Sequence, residues 1–218
     1  MPLRDVPTAF VLRDRSTSDG AAVVASVIRV PAVPLPEPPL ATERLLLRTW
    51  RAEDATALFE AFHDAEVLRF SWSSDADYTH ADAVRYLQDR EPARQRGEEV
   101  QWALVDPDGH LLGGASLYQL DAEQGSASVG YWLAAAARGR ELATTAVRLI
   151  ADYVFTRLSV ERLELTCGPD NIGSQGVAQR AGFLREGLLR SHMPFKGARR
   201  DTLLFSLLPK DLHQARHG

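Results

Sequence analysis

A chain of 218 residues, 45% hydrophobic and 25% charged, has the profile of a globular protein long enough to bury a core without staples. Its net charge of −4 gives no basic field for nucleic acid or an anionic membrane, and its single cysteine, Cys167, excludes a disulfide framework and any multi-cysteine metal site. The apolar run "AAVVASVI", 21–28, is too short to span a bilayer, and the charges before it are of both signs, unlike a signal peptide. The expectation is a cytoplasmic protein with no metal, no nucleic-acid partner and no membrane partner.

In chain order, residues 1–40 read as an extension. "AFVLRD" and "AVVASVIRV" are either a small hairpin or disordered, and five prolines within 31–39 make a stiff connector. "RLLLRTW", 44–50, is a strand. "RAEDATALFEAFHD", 51–64, has Ala55, Leu58, Phe59 and Phe62 at helical spacing. Residues 79–97 open on a Thr cap and read as a second helix. Strands 100–106 and 111–120 flank the turn "PDGH", and 126–133 is the next strand. The spacing predicts a helix over 141–158, a strand over 162–168, a short helix over 172–183 closed by Gly182, and two strands within 188–208 around "KGA". Residues 41–211 then form one domain, with 212–218 as a tail.

Two segments carry candidate chemistry. "AAAARGRELAT" joins a strand directly to a helix, and the exposed N–H groups and dipole of a helix start suit an anion. Arg138 and Arg140 add positive charge, although an ordinary strand-to-helix connection has the same look. Neither GxGxxG nor GxxxxGK[ST] occurs. The second segment, "NIGSQGVAQRAGFLREGLLR", follows the next strand.

With "TERLLLRTWRAEDA", "VGYWL" and "RRDTLLFSLL" in this order, these segments resemble the GNAT acetyltransferase superfamily, in its RimJ/RimL-like branch, over roughly 41–211. The resemblance implies an α+β domain with a mixed, mostly antiparallel sheet splayed between its fourth and fifth strands, here 126–133 and 162–168, and helices on both faces. It implies acetyl-CoA as co-substrate, its arm lying along Leu133 and Ala134. Its pyrophosphate would sit on the loop Arg138, Gly139, Arg140, Glu141, Leu142, Ala143 and Thr144. The family loop pattern is Gln/Arg-x-x-Gly-x-Gly/Ala. Arg138 and Ala143 match it, and Glu141 departs from its central glycine. Asn171 matches the asparagine that meets the cofactor arm, with Ser174 close by.

The implied reaction is attack of a primary amine on the thioester, in a ternary complex. It needs a neutral amine, a stabilised oxyanion and a donor to the leaving sulfur. The N–H near Leu133 suits the oxyanion. The tyrosine that many relatives place seven residues after the asparagine is Ala178 here, so Ser174 becomes the candidate donor; its other reading is a helix cap. Glu164 and His192 are both candidate bases. "YW", 131–132, reads as sheet packing and Cys167 as a small buried hydrophobe. The acceptor, an N-terminal peptide or a small-molecule amine, is left open, as is a homodimer. Two rivals are a non-catalytic acyl-CoA-binding regulatory domain with a degenerate loop, and an interaction protein working through its proline-rich arm. Glu141, in the first turn, would be turned outward and held by Arg138 and Arg140.

Overall fold

The computed structural model describes residues 32–71 and 78–214, so the two segments read as a possible hairpin lie outside the described residues. Eight strands form one sheet: β1 (Ala41–Thr42), β2 (Leu45–Thr49), β3 (Glu99–Val105), β4 (Leu111–Asp121), β5 (Ser126–Leu133), β6 (Arg162–Cys167), β7 (Leu184–Phe195) and β8 (Ala198–Leu207). Their order is β1-β2-β3-β4-β5-β6-β8-β7, and every neighbouring pair is antiparallel except β5–β6. The helices are α1 (Ala55–Ala61), α2 (Ala65–Phe70), α3 (His80–Gln88), α4 (Arg90–Gln95), α5 (Leu142–Arg157), α6 (Ile172–Ala181) and α7 (Pro209–Gln214).

The single helix expected over 51–64 is shorter, and a new one follows it. Asp64 leaves helical geometry at φ −70°, ψ 129°, and its carboxylate accepts from the N–H groups of Glu66 and Val67. A short acid that can bond nearby backbone favours capping over helix interior, so it starts α2. The helix expected over 79–97 divides at Asp89 for a different reason. Pro92 has no N–H to offer the Gln88 carbonyl four residues back and is tolerated only in a first turn, so α3 ends and α4 begins. The "KGA" turn matches its reading: Lys196 and Gly197 both have positive φ, 49° and 78°, as a tight hairpin turn between twisted strands requires.

The core is built from the alternating apolar residues of the strands and one side of α5. Val129, Leu163, Leu165, Phe205 and Leu207 meet Val147, Ile150 and Val154. The chain before β1 joins it. Val33 is buried, its N–H donates to the Arg94 carbonyl, and the Tyr153 hydroxyl donates to the Pro34 carbonyl at 2.6 Å.

The parallel pair β5–β6 is the feature that makes a site. It pairs only at Ser126–Arg162, Ala127–Leu163 and Ser128–Glu164. Beyond Ser128 the strands part, while β5 continues on β4 to Leu133. No helix among the described residues is long and apolar enough to cross a membrane.

Candidate active site

The gap between β5 and β6 is lined by unused backbone. The Ala134 N–H donates to Leu112 on the β4 side, so alternation turns the N–H and C=O groups of Leu133 and Tyr131 toward the gap. One of them is taken: Arg138 donates from Nε and Nη2 to the Leu133 carbonyl at 3.3 and 3.2 Å.

The gap runs into the start of α5. A short 3-10 turn, Ala135–Ala137, delivers the chain to Gly139 at φ +71° and then to Glu141 at φ +60°, ψ 9°. Both are left-handed. The central position of the loop thus has the conformation that glycine adopts at no cost, held here by a glutamate. Among the described residues no protein acceptor is recorded for the N–H groups of 139–144, and the first turn of α5 closes only at Thr145 N–H to Glu141 C=O, 3.0 Å. Successive unpaired N–H groups on alternating hand form an anion-binding concavity, here at the positive end of a 16-residue helix. Thr144 is buried, and among the described residues its Oγ1 has no protein partner. Such an orphaned hydroxyl in the first turn fits a phosphate-bearing ligand.

The expected pairing of Glu141 with the arginines is corrected. Arg138 is an ion-pair partner of Asp64, at short range, and of Glu66, at 3.0 Å, both at the start of α2. The Arg138 guanidinium accordingly holds the Asp64 carboxyl below its ordinary value. Asp64, already poised at a helix cap, outcompetes an exposed neighbour three residues along. Glu141 and Arg140 are exposed. α2 is tied down further by Arg69 to Asp170, 2.9 Å, and by Lys196 Nζ to the Leu68 carbonyl.

Opposite the gap, Asn171 caps α6. Its Oδ1 accepts the Ser174 N–H at 3.0 Å, which leaves its amide N–H2 available. Ser174 does not act as the cap, because Asn171 already fills that role. The Ser174 Oγ instead accepts the Tyr131 hydroxyl at 3.1 Å. Tyr131, read from sequence as packing alone, thereby belongs to the site. Burial pushes its pKa up to about 12, so it is a neutral donor at any physiological pH. The Cys167 thiol lies within hydrogen-bond reach of Ser174, and burial pushes it up too. Nothing in "VGYWL" distinguishes this tyrosine from a packing one, since its partner lies 43 residues away.

The sheet separates the candidates into two groups. Tyr131, Ser174 and Cys167 occupy the α6 side. Ser128 pairs with Glu164 and Glu164 with Ser206, so by alternation Trp132, Glu164 and Thr202 occupy the other side. Glu164 pairs with Arg162 at 2.7 Å, and Arg162 also pairs with Glu186 at 2.7 Å. His192 is exposed and uses Nδ1 against the buried Thr202 Oγ1 at 2.7 Å, leaving Nε2 free for another group. Aromatics from β5 and from the segments flanking α1 and α3 wall this side. Trp132 stacks on Trp50 at 6.4 Å and meets Phe62 edge-on at 5.2 Å, and Phe62 lies 5.1 Å from Tyr78. Gly114 makes room for the pair, because a Cβ there would lie 2.6 Å from Trp132 Nε1 and 2.9 Å from Trp50.

Comparison with known proteins agrees with this geometry. Residues 44–184 match the family model described as the acetyltransferase (GNAT) domain. An N-acetyltransferase of Bacillus licheniformis, p20, is 31% identical over 175 residues, covering 79% of this chain and 97% of that protein. The ribosomal-protein-serine acetyltransferase of Escherichia coli (strain K12) is 26% identical over 125 residues, or 57% of this chain and 69% of that protein. Among solved structures, Mycobacterium smegmatis RimJ in complex with CoA-disulfide superposes with a TM-score of 0.72 at 27% identity, covering 79% of this chain and 86% of that one. A splayed β5–β6 pair that opens onto an anion-binding helix start, in a chain matched by this family over most of its sheet, has one reading: the protein belongs to the GNAT acetyltransferase family, enzymes that move an acetyl group from acetyl-CoA to an amine.

Proposed function

We propose that this chain acetylates a primary amine by direct attack in a ternary complex, and that the sheet itself keeps the groups that take the amine proton apart from those that meet the leaving sulfur. The separation of candidates across the sheet is the observation that carries this. Acetyl-CoA enters the gap with its arm along Leu133 and Ala134 and its pyrophosphate on the N–H groups of 139–144, the Ala143 methyl being turned into the core. The Asn171 amide N–H2 donates to the arm. The Leu133 N–H, free on the gap side of β5, meets the oxyanion.

The amine arrives on the aromatic side, past Trp132, where His192 offers an open Nε2 to take a proton directly or through water. Glu164 is the weaker candidate base, because its carboxylate is already paired with Arg162. The sulfur leaves toward the α6 side, where Ser174 is the donor. An N-terminal peptide is the favoured acceptor class. The aromatic wall suits an apolar stem behind the amine, and the E. coli relative is by name a ribosomal-protein-serine acetyltransferase. The left-handed Glu141 supports a loop that still holds its ligand, which an enzyme and an acyl-CoA-binding regulatory domain share, so transfer itself separates the two.

The test has two steps. Acetyl-CoA should raise the melting temperature of the wild type, and Arg140→Glu, a charge reversal at an exposed position of the loop, should diminish the rise. Thiol release and mass spectrometry then compare peptides beginning with serine against spermidine and an aminoglycoside. Acetylation of the peptide α-amine is expected. Thermal stabilisation without acetyl transfer to any amine would favour the regulatory reading.

A further inference from the structure

Tyr131 is half-buried on β5, just past the point where β5 and β6 stop pairing, and its ring packs on the core while its hydroxyl crosses to α6. Of the two hydroxyls that meet there, the phenol is the stronger acid and therefore donates. That settles the direction of the serine proton. Ser174 Oγ has one hydrogen and, with Tyr131 donating to it, must point that hydrogen elsewhere. Its options are the Cys167 sulfur and the gap. Cys167 is 4% exposed and stays a neutral thiol, a weak acceptor. A thiolate appearing in the gap is a charged acceptor and wins the proton's hydrogen bond.

We propose that Tyr131 is a positioning residue for the leaving group: by donating to Ser174 Oγ, it commits the serine O–H to the sulfur of the departing coenzyme. This rests on the acetyl-transfer reading above. The amine nitrogen forms a bond to the thioester carbon, and the C–S bond breaks with its electron pair going to sulfur. The nitrogen loses one proton to His192 or water, and the thiolate takes one from solvent, giving amide and CoA thiol. Ser174 and Tyr131 keep their protons. A full relay would leave a tyrosinate, which the buried ring opposes. The pair lowers the barrier by stabilising the thiolate through a hydrogen bond that is pre-aimed and sheltered from water.

The prediction needs no acceptor to test. CoA itself, bound to the protein, carries the thiol whose ionisation the pair should favour. The ultraviolet absorbance of the bound thiolate is titrated with pH, as a difference against the same protein without CoA. In the wild type the bound thiol should ionise below free CoA. In Tyr131→Phe, which keeps the ring and its packing, the titration should move up by about one pH unit, a tenfold change. Ser174→Ala should move it at least as far, and the double variant no further than Ser174→Ala alone. An identical titration in wild type and Tyr131→Phe, or shifts in the two single variants that simply add, would overturn the proposal. Failure of the wild type to bind CoA would overturn the acetyl-transfer reading first, and this inference with it. Ser174→Ala leaves Tyr131 in place, so a misfolded Tyr131→Phe still leaves one decisive arm: a bound thiol unmoved by Ser174→Ala rules the pair out.

Discussion

Glu141 places its charge and its backbone in different environments. The side chain is exposed in water, and the backbone sits at φ +60°, where an L-residue costs about 1–2 kcal/mol. Glu141→Gly should therefore raise stability by about 1 kcal/mol, read as a higher melting temperature. Because the carboxylate remains solvated, acetyl-CoA binding should tighten less than about tenfold, read by titration calorimetry at one salt concentration. A gain of a hundredfold would mean that the acid does face the phosphate. At Ser174 the expectation is kinetic. Ser174→Ala should lower kcat about tenfold to a hundredfold with little change in KM for acetyl-CoA, because the hydrogen bond strengthens only as negative charge develops on sulfur. Equal losses in both parameters would assign Ser174 to cofactor binding.

Among the elements, α2 governs the mouth of the gap. Asp64 and Glu66 hold Arg138, Arg69 holds Asp170, and Lys196 reaches Leu68 from the tip of the β7–β8 hairpin. This short helix thus joins the loop before α5, the α6 loop and the hairpin. The positive charge nearest the nest is largely neutralised by the two acids. Glu66→Gln removes one acid without touching the Asp64 cap, and acetyl-CoA binding should tighten up to about fivefold at low salt, the worth of one exposed pair. The gain should shrink as salt rises, measured by calorimetry at two ionic strengths. No gain at either would mean that Arg138 serves the Leu133 carbonyl alone.

For the whole molecule, acid stability is governed by carboxylates held low by their partners. Asp54 is buried, and its bonds to Arg48 and to the Arg51 N–H outweigh burial, so its carboxyl stays below the ordinary value. Glu186 is held at about 2, chiefly by Arg162 and then by the Ser206 hydroxyl. A folded-state value below the unfolded one means that the stabilisation is complete above the unfolded value, near 4.5. It is lost as pH falls toward about 2. Chemical-denaturant midpoints should therefore drop across that window, and Glu186→Gln should flatten the drop while lowering the midpoint at neutral pH. An unchanged slope would place the acid sensitivity in other groups.

Local chemistry determined much of this. Strand alternation, the proline that ends α3, the lysine-glycine turn, and the run from a strand through a small-residue loop into a helix all act within a few residues, so they are written in consecutive letters. The order of those segments was also enough to mark the family and, with it, the splayed sheet. The α2 helix was legible too, in the Asp64 cap, but the apolar stripe that ran up to it masked the signal. Tertiary structure decided the rest. The hand of Glu141 depends on how the 3-10 turn delivers the chain to α5, which no local pattern encodes for a glutamate. Arg138 had a near acid and two distant ones in sequence, and the fold brought the distant pair close. Tyr131 and Ser174 meet only because β5 and β6 stop pairing after Ser128 and let α6 reach across. Pairing of groups far apart along the chain is set by packing of the whole sheet, and the residues that meet there carry no mark of it in their own neighbourhoods.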